Sequence, residues 1–453
     1  MEKMTLREIA RAVNGRLLHT DGTARIDKIS TDSNAADSST LFVALRGERF
    51  DGHDFIPAFY QNGGAAVISQ RGTDGPGILV EDTRLALGAL AAYYRGKFDL
   101  PVVGVTGSVG KTSTRGMIES VLSAAGNTCA TQGNLNNDIG LPRTLLTLDR
   151  AHRYAVIEMG MNHAGEIRYL TGIARPDIAV ITNVGTAHIG NLGSREAILR
   201  AKLEILEGLP PGGLAVFNGD DERLWALKGK LPYKTIYYGL HNPACDLAAQ
   251  NVACGPLESN FEVRGTAFTV RAPGEHHVSN ALAAIAVGLE FNMPVADIRG
   301  GVEAFRPSGM RQTMRDIGGI RVIEDCYNAN ADSMEAALAV LAASDMGGRK
   351  IAVLGDMLEL GEFTRAEHRR VGNCAARHKI DLLVTVGEHA ACIAEQAAAG
   401  GVEAISLDTN QEGLQTVLGL LKERDTILVK ASRSAKFEEI SRGIQEHLGG
   451  DAA

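Results

Sequence analysis

Along this chain, short and uniformly apolar runs alternate with stretches in which apolar residues recur at helical spacing. The runs Leu100 to Val105, Tyr154 to Ile157, Ile178 to Ile181 and Ala215 to Phe217 show no polar alternation, the pattern of strands covered on both faces in a parallel sheet. Ahead of them, Leu6 to about Lys97 mixes predicted helices (Leu6 to Val13, Leu85 to Tyr94) with short strands (Thr40 to Ala44, Ala65 to Ser69) and reads as a separate α/β domain. Phe261 to Arg264 and Ala267 to Arg271 alternate, which predicts antiparallel strands added at the edge of the parallel sheet. At Phe305-Arg306-Pro307-Ser308-Gly309 a proline and a flexible glycine interrupt the pattern. Beyond it the alternation restarts, with strands at Ile320 to Glu324, Ile351 to Leu354, Leu382 to Val386 and Thr426 to Val429, and helices at Met334 to Ala342 and Arg365 to Arg377. The expected fold is α/β in three domains: residues 1–98, a central P-loop-type domain on a mainly parallel sheet over 99–308, and a C-terminal Rossmann-like domain over 309–453 without a G-x-G-x-x-G fingerprint.

Composition narrows the setting. At 453 residues the chain exceeds one compact core, and 45% hydrophobic with 22% charged residues is ordinary globular protein. A net charge of -8 argues against broad nucleic-acid binding, so any anionic substrate must meet local positive charge or metal. No run approaches the ~20 apolar residues of a membrane span, and Met1 to Ala10 has no apolar stretch after Lys3. A cytoplasmic monomer with no membrane span is expected. The six scattered cysteines form no C-x-x-C pair and read as reduced packing residues.

The chemistry begins where Val102-Val103-Gly104-Val105 runs into Thr106-Gly107-Ser108-Val109-Gly110-Lys111-Thr112, followed by Met117, Ile118, Val121 and Leu122 at helical spacing. That is strand, glycine-rich loop and helix. Gly107 and Gly110 let backbone N–H groups approach phosphate oxygens, Lys111 brings a cation to the outer phosphates, and the Thr112 hydroxyl can sit on Mg2+. The strict Walker pattern requires glycine at position 105; Val105 makes this a T-G-x-x-G-K-T variant. The expected ligand is a nucleoside triphosphate, ATP.

Glu158 ends the apolar run Ala155-Val156-Ile157, which places a carboxylate at the C-terminal end of a buried strand, where open α/β sheets bind ligands. His188 lies in the loop after Ile181 and can reach the same crevice; carboxylate and imidazole beside a phosphate loop suit Mg2+. Lys202, on a helix beginning near Ser194, projects among Ile198, Ile205, Leu206 and Leu209. A buried lysine is either paired, snorkelled, or depressed in pKa and nucleophilic; in the last case CO2 converts it to a carbamate, an anionic metal ligand. The sequence leaves these alternatives open, including an ion pair with Glu158.

These motifs together resemble the Mur ligase family, and the match runs end to end. Thr106 to Ser113 is similar to the family's phosphate loop, and Glu158, His188 and Lys202 to its metal-binding glutamate, histidine and carbamylated lysine. Gly133-Asn134-Leu135-Asn136-Asn137-Asp138-Ile139-Gly140-Leu141-Pro142, Asp325-Cys326-Tyr327-Asn328-Ala329-Asn330 and Leu354-Gly355-Asp356-Met357-Leu358-Glu359-Leu360-Gly361 resemble the branch that adds D-alanyl-D-alanine. The Asp-Asn-Pro-Arg motif of the branch that adds meso-diaminopimelate is missing.

The resemblance implies an ATP- and Mg2+-dependent ligase that joins D-Ala-D-Ala to UDP-N-acetylmuramoyl-tripeptide through an acyl phosphate, in cytoplasmic peptidoglycan precursor synthesis. It implies a UDP-binding first domain that uses Thr31, Asp32 and Ser33, with Asn34 where an arginine is usual. It places Asn280 near adenine, Arg311 and Asp325 near ribose and phosphates, and Asn134, Asn136, Asn137, Asp138, Tyr327, Asn328 and Asn330 near the other substrates. The rival readings are a folylpolyglutamate synthase-like ligase, which shares the ATP machinery, and a nucleotide switch or motor that makes no bond.

Overall fold

The computed structural model describes residues 1–307, 309–344 and 346–449. Ser308, within the predicted break, and residues 450–453, the end of the predicted third domain, lie outside the described residues.

Seven parallel strands form the central sheet, in the order Leu247–Ala248, Lys234–Gly239, Leu214–Asn218, Ile178–Ile181, Val102–Thr106, Tyr154–Glu158 and Thr128–Ala130. Their apolar runs are buried from both sides, as the absence of alternation requires. The strand Val102–Thr106 lies between Tyr154–Glu158 and Ile178–Ile181, with Val105 opposite both Glu158 and Val180. That register delivers the phosphate loop, Glu158 and the 182–188 loop to one crevice at the C-terminal ends of the strands. The helix Lys111–Ser123 buries Met117, Ile118, Val121 and Leu122 in a core shared with the alanine-rich helix Glu275–Glu290.

Before it, five short strands form a sheet in the order Arg16–Leu18, Gly77–Leu79, Ala66–Ser69, Thr40–Val43, Lys28–Ser30, antiparallel only at the first pair. After it, a six-stranded sheet runs Thr313–Ile317, Ile320–Glu324, Thr426–Lys430, Lys350–Gly355, Leu382–Val386, Glu403–Leu407. It too is parallel except for its first pair, a hairpin closed by Gly318-Gly319, both at positive φ (57° and 77°) as a two-residue primed turn demands. The chain is a three-domain α/β fold, and no helix among the described residues is long and apolar enough to cross a membrane.

Two expectations change. The alternating segments near Phe261 and Phe268 do not extend the central sheet: Gln250–Cys254, Ser259–Val263 and Thr266–Val270 make a separate three-stranded antiparallel sheet. Its inward residues Phe261, Phe268 and Val270 join the core around the Glu275–Glu290 helix, so burial is reached by packing on a helix instead of pairing along an edge. The helix carrying Lys202, capped by the Ser194 hydroxyl, spans only Arg195–Leu203 and tightens into a 3-10 turn over Glu204–Gly208. Ile205 and Leu206 therefore enter the core from that turn, while Lys202 remains buried.

Candidate active site

The phosphate loop is held by its own atoms and by the 182–185 segment. Lys111 Nζ donates to the carbonyls of Gly107 (2.8 Å) and Ser108 (3.3 Å), curling the side chain over the loop. Asn183 accepts from Val109 N through Oδ1 (2.9 Å) and from Ser108 N through its carbonyl (3.1 Å), while Gly185 N donates to Ser108 Oγ (2.9 Å). A Cβ at position 107 would stand 1.8 Å from Thr182 Oγ1, and Gly110 sits at φ +83°, so both glycines are dictated by geometry. Thr106 is buried and donates to Met159 O (2.9 Å), a strand-end clamp. Burial lowers the Lys111 pKa; the Glu158 carboxylate opposes that shift and the Arg311 charge adds to it.

A cavity of about 540 Å³ opens in front of this loop, between the central and C-terminal domains. Ser108 to Ser113, Glu158, His188 and Asn280 line one side, and Arg311, Asp325, Tyr327 and Lys430 the other. Glu158 is buried; its Oε1 accepts from Asn136 Nδ2 (2.7 Å) and its backbone N donates to Thr131 Oγ1 (2.9 Å). Its Oε2 is buried with no hydrogen-bond partner among the described residues. A carboxylate oxygen in that state calls for a cation. His188, at φ +63°, brings Nδ1 to 2.6 Å from Glu359 Oε2 of the C-terminal domain, and this hydrogen bond holds the Glu359 carboxyl below its usual range.

Lys202 is 1% exposed, which excludes snorkelling, and among the described residues it forms no ion pair with Glu158 or any other carboxylate. Burial depresses its pKa far below the ordinary lysine value, and the Lys111 charge pushes it further the same way. It does not itself line the cavity. Among the described residues no three His, Cys, Asp or Glu side chains cluster to hold a metal. A hard cation facing Glu158 Oε2 would therefore need other donors, and the Thr112 hydroxyl and a carbamate on Lys202 are of the right chemistry.

Across the cleft, Asp325 is buried at the end of its strand with Lys430 Nζ 2.7 Å from its Oδ2; that ammonium also donates to Asn328 O (3.0 Å). Burial raises the Asp325 pKa, and Lys430 counters the shift. The Arg311 guanidinium lies 4.0 Å from the Tyr327 ring centroid, a cation–π contact. Asn280 accepts from Thr114 Oγ1 (2.9 Å), tying its helix to the phosphate-loop helix.

Other predicted residues have structural duties or lie elsewhere. Asn137 Oδ1 caps a turn by accepting from Gly140 N (2.8 Å), and Asn330 caps the helix Ala331–Ala343. Both still border the cavity, as do Asn134 and Asn328. Asp138 pairs with Arg84 of the first domain. Thr31, Asp32 and Ser33 form a turn in the first domain, where Asp32 Oδ1 accepts from Asn34 N (2.9 Å), and they line none of the cavities described here. Sequence reasoning gave no role of their own to Asn183, His276, His277, Gln312, Lys430 and Glu359, although Glu359 lies inside the Leu354 to Gly361 motif. Of these, Lys430 ends a strand, the position that singled out Glu158, and Asn183 opens the loop that carries His188; His276, whose pKa burial lowers to about 4, and His277 lie just before Asn280.

Three α/β domains, a phosphate loop at the strand crevice of the middle one, and a third domain facing that loop with Arg311, Asp325 and Lys430 define a nucleotide-dependent enzyme that works across a domain cleft. Family models for the catalytic domain of the Mur ligase family match residues 25–95, for the Mur ligase middle domain residues 105–288, and for the Mur ligase glutamate ligase domain residues 310–433. The chain is 39% identical to the UDP-N-acetylmuramoyl-tripeptide–D-alanyl-D-alanine ligase of Bacillus subtilis, over 98% of this chain and 99% of the relative. It superimposes on a crystal structure of MurF from Acinetobacter baumannii with a TM-score of 0.91, 34% identity and coverage of 98% and 99% of the two chains. The MurF ligase of Thermotoga maritima in complex with ADP gives a TM-score of 0.83 at 28% identity, covering 93% of this chain and 98% of that one. The chain belongs to the Mur ligase family.

Proposed function

We propose that this protein is the ATP-dependent ligase that joins D-alanyl-D-alanine to UDP-N-acetylmuramoyl-tripeptide in peptidoglycan synthesis. The full-length similarity to ligases of that name supports the substrates. The observation that carries the chemistry is that phosphate loop, orphaned Glu158 oxygen and third-domain residues Arg311 and Asp325 open into one cavity, with room for nucleotide phosphates and a second anion.

A carboxylate is a poor electrophile at neutral pH. One of its oxygens attacks the γ-phosphorus of ATP, the bond to the bridging oxygen breaks, and ADP leaves an acyl phosphate. The amine of D-Ala-D-Ala then attacks the acyl carbon; inorganic phosphate departs with the former carboxylate oxygen, and the amine loses its proton. Loop N–H groups and Lys111 hold the β- and γ-phosphates and stabilise the transferring phosphoryl group. Thr112, Glu158, His188 and Lys202 as its carbamate would hold Mg2+, which when bound supplies positive charge between two anions that otherwise repel. The depressed pKa of Lys202 leaves the neutral amine that attack on CO2 requires. Asn280, Arg311 and Asp325 bind the nucleoside side; Asn134, Asn136, Asn137, Asp138, Tyr327, Asn328 and Asn330 bind the peptide substrates, and Thr31, Asp32 and Ser33 the uridine nucleotide. ATP and a UDP-linked precursor place the reaction in the cytoplasm. The active unit proposed is the monomer.

ADP release tests the reading. It should require both the UDP-linked tripeptide and D-Ala-D-Ala and yield a UDP-linked pentapeptide by mass. Equal release without either peptide substrate would identify a switch or motor, and release with a folate and glutamate would identify the rival ligase.

A further inference from the structure

A second cavity, about 570 Å³, adjoins the first and shares Asn137, Gly160, Asn162 and Glu166 with it. It lies where the helix Thr83–Arg95 of the first domain meets the helix Glu166–Ala174 of the central domain. The reaction proposed above activates the carboxyl group of the acceptor's third residue, and that carboxyl group must sit by the phosphate loop. The atoms next to it, including that residue's side chain, are therefore within reach of this second cavity.

Its lining has two parts. Leu85, Tyr169 and Leu170 provide an apolar wall suited to a run of methylenes. Leu85 is 60% exposed, so its side chain is open to a ligand. The polar part mixes signs: Asp82, Asp138 and Glu166 carry negative charge, and Arg84 stands among them, its Nη2 donating to Asp138 Oδ1 (2.9 Å). Asp82 Oδ1 also caps the helix by accepting from Arg84 N (2.7 Å) and Leu85 N (2.9 Å), so the Arg84 backbone is fixed while its side chain, half exposed, can turn to a ligand. Acidic groups alone would serve any ammonium. A guanidinium among them adds a bidentate partner for a carboxylate.

We propose that this cavity receives the side chain of the acceptor's third residue and that Arg84 selects one ending in both an ammonium and a carboxylate, meso-diaminopimelate, over lysine, which ends in an ammonium alone. The inference rests on the ligase reading above. In the bound state the carboxylate takes the guanidinium in place of Asp138, and the ammonium takes Asp138 and Glu166.

The test measures kcat/KM for D-Ala-D-Ala-dependent ADP release with the two UDP-linked tripeptides, in the wild type and in Arg84→Ala and Arg84→Lys, with Tm recorded for each. Loss of a charge-assisted bidentate contact removes about tenfold or more in kcat/KM. The wild type should prefer the diaminopimelate peptide by about that factor, Arg84→Ala should abolish the preference, and Arg84→Lys should restore part of it. A wild-type preference for lysine, or a ratio that Arg84→Ala leaves unchanged while both peptides weaken together, would overturn the proposal. The latter would put Arg84 on a group common to both peptides or in domain docking. If neither tripeptide supports dipeptide-dependent turnover in the wild type, the ligase reading itself fails.

Discussion

The phosphate loop and the two buried residues Glu158 and Lys202 are finished to different degrees. In the loop, Lys111 rests on two carbonyls, Asn183 takes up two N–H groups, and each glycine answers a steric demand. By contrast, Glu158 Oε2 is buried without a partner and Lys202 is buried without a counter-charge among the described residues. A loop that satisfies itself is preorganised before ATP arrives. A buried carboxylate oxygen without a partner and a buried amine without a counter-charge oppose folding stability, and sites that break packing rules this way are where function is expected. The loop is thus complete as it stands, while Glu158 and Lys202 each lack a partner.

Lys111→Ala should break the loop side of this contrast most severely, lowering kcat by about 10³-fold with little change in Tm, because the ammonium contacts only loop carbonyls in the free protein. Glu158→Gln keeps the shape and the acceptor for Asn136 but removes the charge. Activity should fall about 10²-fold while Tm holds or rises, since a buried unpaired carboxylate is lost; a fall in both would mean that Glu158 is structural.

Lys202→Met should lower activity about tenfold or more and remove any dependence on bicarbonate, which the wild type should show in CO2-depleted buffer. The same variant carries a pH signature. In bicarbonate-free buffer the folded Lys202 releases its proton at a lower pH than the unfolded one, so the unfolded state binds more protons and wild-type stability rises with pH between those two values. Lys202→Met should lack that rise, as denaturant unfolding across the interval will report. Glu359→Gln, which weakens the contact to His188 across the cleft, should have the smallest effect: a few-fold in kcat, with ATP binding unchanged.

How much of this was legible follows the same divide. The loop is one contiguous stretch in which strand, glycines, lysine and hydroxyl each have a local reason, so seven adjacent letters sufficed. The buried parallel strands declared themselves by length and unbroken apolarity. Three-residue strands such as Arg16–Leu18 and Lys28–Ser30 are too short to show a period, and the half-exposed edge strand Glu403–Leu407 offers little apolar signal. The Gly318-Gly319 turn was a hairpin signal left unread.

Pairs distant in sequence are a different matter. Lys430 meets Asp325 from 105 residues away, and Glu359 meets His188 from 171; no local pattern encodes such a pairing. The helical register did mark Lys202 as buried, but only the structure separates a paired lysine from an unpaired one.

The central claim is that ATP is used to phosphorylate a carboxylate and not simply hydrolysed. Tripeptide labelled with 18O in its terminal carboxylate tests it directly. If the acyl phosphate forms, one labelled oxygen per turnover appears in the released inorganic phosphate and the other stays in the amide product. Unlabelled phosphate released at the full rate of product formation would contradict the account.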